Sequence, residues 1–293
     1  LIAAQKTRGL LGRLRLFGSL KLSDLLPEAP AIAEFSTGET MGQNGERLAK
    51  RLGISREEQD EFAMTSHHRA ARAAADGLLA RQIVPLFLPP RYAPIAADNG
   101  IREDTTREKL ARLRPAFDRR FGTLTAGNSS FLTDGAAAVL LMTEVKAERY
   151  GLEPLAVVRS SAVTGQDPLE ELLLGPAFAT PRALDCAGLS LEEIDVVELH
   201  EAFAAQVLGV LKVMEDEKFC RERLGRDGAL GRIDRARLNA WGGSLSVGHP
   251  FGATGARLVA NCCHRMRHEG GRYGLVSACA GGAIGIAMVL ERP

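Results

Sequence analysis

Hydrophobic residues are distributed differently on the two sides of residue 120. Beyond it they form short apolar runs bounded by turn-forming residues, which is typical of buried strands. These runs predict strands at residues 135–142, 155–160, 194–199, 274–278 and 283–290. A helix is predicted over 180–187, with Thr180 as its N-cap and Pro181 at its first position. Strands that alternate with helices favour a layered α/β fold.

Residues 1–120 are rich in Arg, Lys, Glu and Ala, and they contain few runs of β-branched residues. Ser55 and Glu58 have the spacing of a capping box, and a helix is predicted from there to about Gly77. The segment 83–90 is extended and limited by prolines. We therefore expect a helical insertion in this region rather than a sheet domain.

A basic stretch, residues 6–21, has apolar residues at positions 10, 11, 14, 16, 17 and 20. It has two interpretations. One is a basic amphipathic helix that touches a membrane surface or a partner, and the other is a solvated helix that packs its Leu and Phe side chains on the domain. Glycines within the stretch weaken a helix and favour the second interpretation. The basic run 221–226 is predicted to be a solvated helical face.

Composition limits the classes of protein to which the chain can belong. Of its 293 residues, 45% are hydrophobic and 25% charged, as in an ordinary globular protein of one large or two medium domains. A net charge of +1 gives no argument for nucleic acid. Five cysteines without a CxxC pair indicate reduced thiols and argue against a metal site. No apolar run reaches the ~18 residues of a membrane span.

Two glycine-rich motifs each carry one reactive side chain. His249 lies in the motif 242–255, and Cys279 lies in the motif 277–285. Glycines let backbone N–H groups approach a ligand closely. A histidine and a cysteine in this setting indicate acyl chemistry on a thioester. His200 follows a predicted strand directly, at the end where α/β proteins usually place their sites.

These two motifs resemble the C-terminal signatures of the thiolases, and the segments 128–138 and 200–206 resemble two further thiolase signatures. The resemblance implies a thiolase-like layered αβαβα sandwich with a helical loop domain. The implied divisions are a loop domain covering coenzyme A at 1–120, the remaining piece of the N-terminal half at 121–150, and the C-terminal half at 151–293.

Within that family the likeness is to the long-chain 3-ketoacyl-CoA thiolases, the β-subunits of the trifunctional complexes of fatty-acid oxidation. It depends on the segment 113–118 and on His200, where many other thiolases carry Asn. The implied reaction is thiolytic cleavage of a 3-ketoacyl-CoA by CoA to acetyl-CoA and a shortened acyl-CoA. The alternatives are an acetyl-CoA C-acetyltransferase that works in the condensing direction and a non-catalytic fragment that binds CoA.

Thiolases carry their acylated cysteine in the N-terminal part of the chain. This sequence begins at Leu1, and none of its cysteines, at positions 186, 220, 262, 263 and 279, lies in a segment resembling the nucleophile motif. We therefore expect these residues to provide the second half of an active site. The starting residue favours an incomplete sequence over a natural remnant.

The resemblance implies four catalytic residues. His249 would polarise the thioester oxygen and activate the nucleophile. Cys279 would supply the acid for the departing enolate, and an ordinary cysteine pKa of ~8.5 suits that exchange. His200 would hold a water for an oxyanion hole or donate to the oxyanion directly, which would make the site sensitive to pH near neutrality. The Gly281 N–H would serve a second oxyanion hole, and Glu201 is interpreted as structural support.

Each catalytic candidate also has a simpler interpretation. Cys279 could be a small buried residue, the commonest fate of a free cysteine. His249 could cap a turn, and His200 could be a strand-end histidine bonded to a loop.

Comparison with the family also implies residues that contact coenzyme A. They are Arg102 at the nucleotide end, Leu113 and Phe117 near the pantetheine, Ala126 and Ser130 along its tunnel, Ala202 and Phe203 by the thioester, and Met41 along the acyl tunnel. Ordinary core packing is the alternative for Leu113 and Phe117. His67 and His68 are predicted to be surface residues.

The resemblance also implies partners. Acyl-CoA and CoA would be the ligands, with no permanently bound cofactor and no metal. A homodimer is implied, and for the β-subunit type a larger complex with a hydratase/dehydrogenase α-subunit. Membrane contact would come through the stretch 6–21. The protein would be cytoplasmic in a bacterium and on the mitochondrial matrix side in a eukaryote.

Overall fold

A computed structural model describes residues 9, 18 and 33–293. Apart from residues 9 and 18, the basic stretch 6–21 lies outside the described part of the chain, so both of its interpretations stay predictions. The helices are α1 Met41–Leu52, α2 Arg56–Ala75, α3 Arg107–Ala111, α4 Glu144–Arg149, α5 Gly175–Ala187, α6 Ala204–Glu215, α7 Glu217–Leu224, α8 Ser244–Val247 and α9 Gly252–Glu269. The strands are β1 Leu86–Phe87, β2 Pro94–Ile95, β3 Val157–Gly165, β4 Val196–Leu199, β5 Tyr273–Ala280 and β6 Ile284–Glu291.

Four strands form the main sheet in the order β3-β6-β5-β4. The pairs β3–β6 and β5–β6 are antiparallel, and β4–β5 is parallel. The predicted strands 194–199, 274–278 and 283–290 are confirmed as β4, β5 and β6. The predicted strand 155–160 is confirmed in type, but β3 begins two residues later and continues to Gly165.

Alternate residues of the strands face two separate cores. Val197, Leu199 and Leu275 join the larger core, where α5 covers the sheet and α6 packs against α5. Val196 and Val276 point the other way, into a smaller core with α9. Because successive strand side chains point to opposite faces, these short apolar runs bury both sides of the sheet.

Capping groups determine where the first two helices begin. Ser55 accepts from the N–H of Glu58 while the Glu58 carboxylate accepts from the N–H of Ser55, so the predicted capping box is confirmed. Thr40 and Gln43 form the same reciprocal pair at α1. These bonds satisfy N–H groups that a helix start leaves free.

A buried ion pair joins α9 to β4. The guanidinium of Arg265 donates to Glu198 at 2.7 Å, and both side chains are fully buried. Arg265 also donates to the carbonyl of Val197 and to the carboxylate of Glu269. The pair therefore holds its charges within a nearly complete set of hydrogen bonds, as a buried ion pair requires.

The strand predicted at 135–142 is wrong. These residues are in irregular backbone, and Leu140 and Leu141 are 79% and 73% exposed. An apolar run indicates a low content of polar side chains, but a strand also needs hydrogen-bond partners on a neighbouring strand. Within residues 33–293 no strand pairs with this segment.

The helix predicted over 180–187 is confirmed, but its start is wrong. Helix α5 begins at Gly175, and Pro176 occupies its first turn. Thr180 therefore caps nothing, and Pro181 lies inside the helix. The error arose because two prolines are compatible with a helix start and the sequence does not rank them.

His67 is buried rather than on the surface, which corrects that prediction, whereas His68 is exposed as predicted. The Nδ1 atom of His67 accepts the backbone N–H of Arg102 at 3.2 Å. Burial lowers the pKa of His67 to about 4. Its ring is therefore neutral at neutral pH, as an acceptor must be.

Basic residues of the run 221–226 lie on or directly after α7 and make surface contacts, as predicted. Arg221 bonds Glu217 within the helix, and Arg223 reaches Glu171. Within residues 33–293 no helix is long and apolar enough to cross a membrane.

Candidate functional site

The parallel pair β4–β5 places two of the predicted catalytic residues at one edge of the sheet. Leu199 is paired with Ser277, and the N–H of His200 donates to the carbonyl of Ser277 at 2.9 Å. Cys279 lies two residues further along β5, where it pairs with Gly285. The carboxyl ends of both strands therefore supply chemistry-bearing side chains to the same place.

His249 reaches this edge from the turn between α8 and α9. Its N–H donates to the carbonyl of Phe131 at 3.0 Å. Gly248 before it has φ 92°, and a Cβ there would lie 2.4 Å from Thr133 Cγ2, so this position requires glycine. The rings of His200 and His249 are 4.3 Å apart between centroids. The structure therefore brings the two predicted histidines into contact.

Each of the two histidines is held by a hydroxyl group at the same ring nitrogen. His249 Nδ1 is 2.7 Å from Thr254 Oγ1, and His200 Nδ1 is 2.9 Å from Ser244 Oγ. Among the described residues no group bonds either Nε2 atom. Both Nε2 atoms are therefore the ring positions open to a ligand.

Both imidazoles are neutral at neutral pH. Burial holds the pKa of His200 well below its usual value, and the charges of a protonated His249 and of Arg257 lower it further. Burial and Arg257 also lower the pKa of His249. The expectation that His200 makes the site pH-sensitive near neutrality is therefore wrong, because its titration lies at lower pH.

Cys279 is partly buried, and this environment raises the pKa of its thiol to about 12. The ordinary value assumed from the sequence is therefore corrected upward. A thiol with this pKa keeps its proton throughout the neutral range, so it is a proton donor rather than a resting thiolate.

The turn after β5 exposes its backbone. Gly281 is exposed, and a Cβ there would meet nothing within 4 Å. Gly282 has φ 80° and donates its N–H to Glu34 Oε2 at 3.1 Å. The N–H groups of this turn can therefore serve a negatively charged oxygen.

Glu201 holds the helix beside the histidines. Its buried carboxylate accepts from Asn239 Nδ2 at 2.7 Å, from Ser66 Oγ at 2.8 Å and from the N–H of Leu245 at 3.1 Å. Burial nevertheless raises the pKa of this carboxyl. These bonds connect Glu201 to α2, to α8 and to the segment before α8, and its supporting role stays a prediction.

Two contacts join members of a set of six predicted CoA-contact residues. We call this set, Leu113, Phe117, Ala126, Ser130, Ala202 and Phe203, the Phe117 surface. Phe117 packs edge-to-face on Phe203 with centroids 5.9 Å apart, and the N–H of Ser130 donates to the carbonyl of Ala202 at 2.9 Å. Leu113 and Phe117 are 38% and 37% exposed, so neither is ordinary core.

The other two predicted contact residues are placed differently. Arg102 is exposed, and its backbone bonds the ring of His67. Met41 packs against the larger core, one residue before Gly42, whose missing Cβ leaves room for the ring of Phe117. Met41 is therefore adjacent to the Phe117 surface.

Sequence comparisons cover almost the whole chain. Residues 11–145 match the family model "Thiolase, N-terminal domain", and residues 152–292 match "Thiolase, C-terminal domain". The 3-ketoacyl-CoA thiolases of Escherichia fergusonii and Yersinia enterocolitica are each 50% identical to the chain over 291 residues, which is 99% of the chain and 67% of each relative. The chain belongs to the thiolase family.

Solved thiolase structures agree. A Bacillus anthracis acetyl-CoA acetyltransferase matches with a TM-score of 0.80 and 38% identity, and human mitochondrial 3-ketoacyl-CoA thiolase matches with 0.77 and 33%. Each match covers 89% of this chain and 62% of the solved chain. The matches confirm the predicted thiolase-like α/β fold.

Three polar residues of this thiolase-family site escaped the sequence reasoning. Ser244 and Thr254 bond the two histidines, and Arg257 bonds Ser244 at 2.9 Å. Ser244 and Thr254 lie inside the glycine-rich motif 242–255, so the hydroxyl residues of that motif were the available signal in the sequence. Which histidine each one serves depends on the turn between α8 and α9. In residues 33–293 no cluster of His, Cys, Asp and Glu side chains could hold a metal ion.

Proposed function

We propose that this protein catalyses the CoA-dependent cleavage of a 3-ketoacyl-CoA to acetyl-CoA and a shortened acyl-CoA. The observation that carries the proposal is the pair of neutral imidazoles, each with Nε2 open, at the same sheet edge as a protonated Cys279. The 50% identity to 3-ketoacyl-CoA thiolases supports this direction of reaction.

Proton transfer at Cys279 follows from its raised pKa. When the bond between the α and β carbons breaks, the leaving acetyl-CoA enolate takes the proton from Cys279 Sγ. The thiolate that remains takes a proton from the incoming CoA thiol, whose sulfur then attacks the acyl group on the enzyme. Cys279 gives up one proton and regains one, so it is protonated again after each turnover.

Oxygen atoms that become negative in these steps need donors. The open Nε2 positions of His200 and His249 and the exposed N–H of Gly281 provide them. Donors already in place when the charge develops stabilise the transition state more than the ground state. His249 also activates the nucleophile in this proposal. None of the residues in the sequence is assigned as that nucleophile.

Coenzyme A binds as a substrate in this proposal, across the Phe117 surface with its nucleotide end at Arg102. The partly exposed side chains of Leu113 and Phe117 offer apolar contact to the pantetheine, and an exposed guanidinium suits a phosphate. No permanently bound cofactor takes part. The division into a loop domain at 1–120, a connecting piece at 121–150 and a C-terminal half at 151–293 remains a prediction.

The test is thiolysis by the full-length protein. We expect loss of a 3-ketoacyl-CoA that depends on added CoA, followed by the absorbance of the substrate enolate and by chromatography of both products. Absence of CoA-dependent loss for every chain length from four carbons to sixteen would contradict the proposal.

A second candidate is an acetyl-CoA C-acetyltransferase that condenses two acetyl-CoA molecules, favoured by the match to the Bacillus anthracis structure. A chain-length series separates the two, because only the first enzyme prefers long acyl chains.

A third candidate is a non-catalytic CoA-binding fragment. Trapping of an acyl-enzyme by mass spectrometry would exclude it, and the intact mass shows which length of chain is being assayed.

We also propose a homodimer that joins a hydratase/dehydrogenase α-subunit. A cytoplasmic location is proposed on the ground that the two relatives named above are bacterial. Sedimentation of the protein alone and with the α-subunit tests the assembly.

Contact with a membrane through residues 6–21 is tested by co-sedimentation with anionic vesicles. Equal binding to the vesicles before and after deletion of that stretch would contradict it.

A further inference from the structure

Ser244 links His200 to a partly buried arginine. Its Oγ lies 2.9 Å from His200 Nδ1 and accepts a hydrogen bond of 2.9 Å from Arg257 Nη2. Ser244 is fully buried, and within the described part of the chain its hydroxyl has these two partners. The directions of the two bonds therefore determine which nitrogen of His200 carries the proton.

Arg257 decides those directions. A guanidinium can only donate, so Ser244 Oγ must accept from it. The single proton of the hydroxyl then has one acceptor in reach, which is an unprotonated Nδ1. If Nδ1 carried the proton instead, both neighbours would donate to Oγ, and the hydroxyl proton would be buried without an acceptor, which is unfavourable.

The groups around His200 keep the ring neutral. The ring of His249 lies 4.3 Å away between centroids, and the positive charge of Arg257 opposes a second proton on the His200 ring. Burial lowers the pKa of Arg257, and the carboxyl groups of Glu198, Glu201 and Asp98 act in the opposite direction and raise it. A neutral ring holds one proton, and the Ser244 contact directs that proton to Nε2.

Glu201 fixes the position of the His200 ring relative to the Ser244 hydroxyl. It accepts the N–H of Leu245, while its neighbour His200 bonds Ser244. A Cβ on Gly243 would lie 2.2 Å from Glu201 Cδ, so only glycine allows the carboxylate to come this close. Two consecutive residues after β4 therefore bind two consecutive residues of α8, which sets the distance between the ring and the hydroxyl.

We propose that Arg257 and Ser244 set the tautomer of His200, so that Nε2–H is a permanent hydrogen-bond donor toward the oxyanion formed on the substrate. Both are positioning residues that act through His200. The kinetic consequences rest on the proposed function, whereas the tautomer itself does not.

The tautomer is measured on the full-length protein labelled with nitrogen-15 in histidine. The nitrogen shift separates a protonated from an unprotonated ring nitrogen, and a His200→Gln variant assigns the signals. We expect His200 to be protonated at Nε2 alone, and Ser244→Ala to give a mixture of tautomers. Ser246→Ala is the matched control, since that hydroxyl lies in the same helix but bonds the carbonyl of Gly243 and the hydroxyl of Ser66 instead of a histidine. A His200 protonated at Nδ1 in the wild type would overturn the proposal.

Kinetics test the consequence. Ser244→Ala should lower kcat about 10- to 100-fold, less than the ~100- to 1000-fold loss that follows removal of a whole oxyanion donor. The KM for CoA should not change, and Ser244→Thr, which keeps the hydroxyl, should recover most of kcat. A Ser244→Ala enzyme with the kcat of the wild type would overturn the proposal. If the wild type itself has no CoA-dependent activity, the proposed function fails, and the nitrogen shifts still decide the tautomer.

Discussion

Two arginines of helix α9, Arg257 and Arg265, have different surroundings. Arg265 is fully buried, bonds Glu198 and Glu269, and has a pKa that these carboxylates raise. Arg257 has a pKa that burial lowers, one hydrogen bond to Ser244, and a buried Nε without a partner among the described residues. One arginine is nearly satisfied by the protein, and the other is not.

The difference distinguishes a structural residue of β4, Glu198, from a candidate catalytic residue just after the strand, His200. Glu198, inside the strand, is committed to an ion pair that stabilises the packing of α9. His200, two residues later, is joined through Ser244 to the incompletely bonded Arg257. Groups with shifted pKa values and unused hydrogen-bonding capacity are typical of functional sites, because a protein has no structural reason to keep them.

The largest expected effect is at the strand end. Cys279→Ala should lower kcat by about 100- to 10,000-fold, the range for loss of a general acid. Because the pKa of Cys279 is about 12, its thiol should also react slowly with iodoacetamide at pH 8. Steady-state kinetics and alkylation rates on the full-length protein measure both.

Cys263→Ala is the control for that variant, since Cys263 is buried in α9. It should keep its activity per folded molecule. Full turnover by Cys279→Ala would refute the acid role and make this cysteine an ordinary packing residue.

The next effect is on stability. Arg265→Met leaves Glu198 as an unpaired buried charge and should lower the free energy of unfolding by about 3–5 kcal/mol. Arg257→Met removes a partly bonded guanidinium. Compared with Arg265→Met, it should lower the free energy of unfolding less and lower kcat more. Urea unfolding and kinetics of both variants test this, and a reversed ranking in either measurement would contradict the comparison of the two arginines.

A third prediction concerns a buried basic group outside the site. The pKa of His67 is about 4 in the folded protein and ~6.5 in an unfolded chain. As the pH falls, the unfolded state therefore binds a proton before the folded state does. Its stabilising contribution is complete above pH 6.5 and is lost as the pH falls toward 4, by at most about 3 kcal/mol. Urea unfolding between pH 7 and 4.5 should show a shallower pH dependence in His67→Gln.

His68→Gln is the matched control, because its neighbouring ring is exposed. It should follow the pH dependence of the wild type. Equal slopes in wild type and His67→Gln would show that other groups cause the loss of stability in acid.

The smallest effect is expected on the Phe117 surface. Phe117→Ala removes an edge-to-face contact with Phe203 and should raise the KM for CoA substrates about threefold to tenfold, with kcat unchanged. Phe121→Ala is its control, since that ring is 66% exposed in the same loop. A fall in kcat at constant KM would place Phe117 near the reacting atoms instead of the pantetheine.

Local patterns predicted those parts of the fold in which a few neighbouring residues decide the outcome. The Ser55–Glu58 capping box is one, and the strand before His200 is another. The apolar run 135–142 was misread because a strand also depends on a partner elsewhere in the chain. His67 was misread because the group that bonds its ring, the backbone N–H of Arg102, is 35 residues away in the chain.

The candidate site shows the same division. The motifs identified His249 and Cys279, and the strand end identified His200, from residue types and spacing alone. The hydroxyl partners of the histidines and the role of Arg257 were missed, since helix spacing along α9 does not show what lies opposite. The sequence also misjudged the pKa values of His200 and Cys279, which depend on burial.

The sequence by itself determined the family, the order of strands and helices around the site, and the identity of the reactive side chains, because glycine spacing and short apolar runs are local properties. Only the tertiary structure decided which charges are satisfied, which rings are neutral, and which nitrogen of each histidine faces the protein. Those properties depend on desolvation and on hydrogen bonds between segments far apart in the chain, and neither can be read from one segment alone.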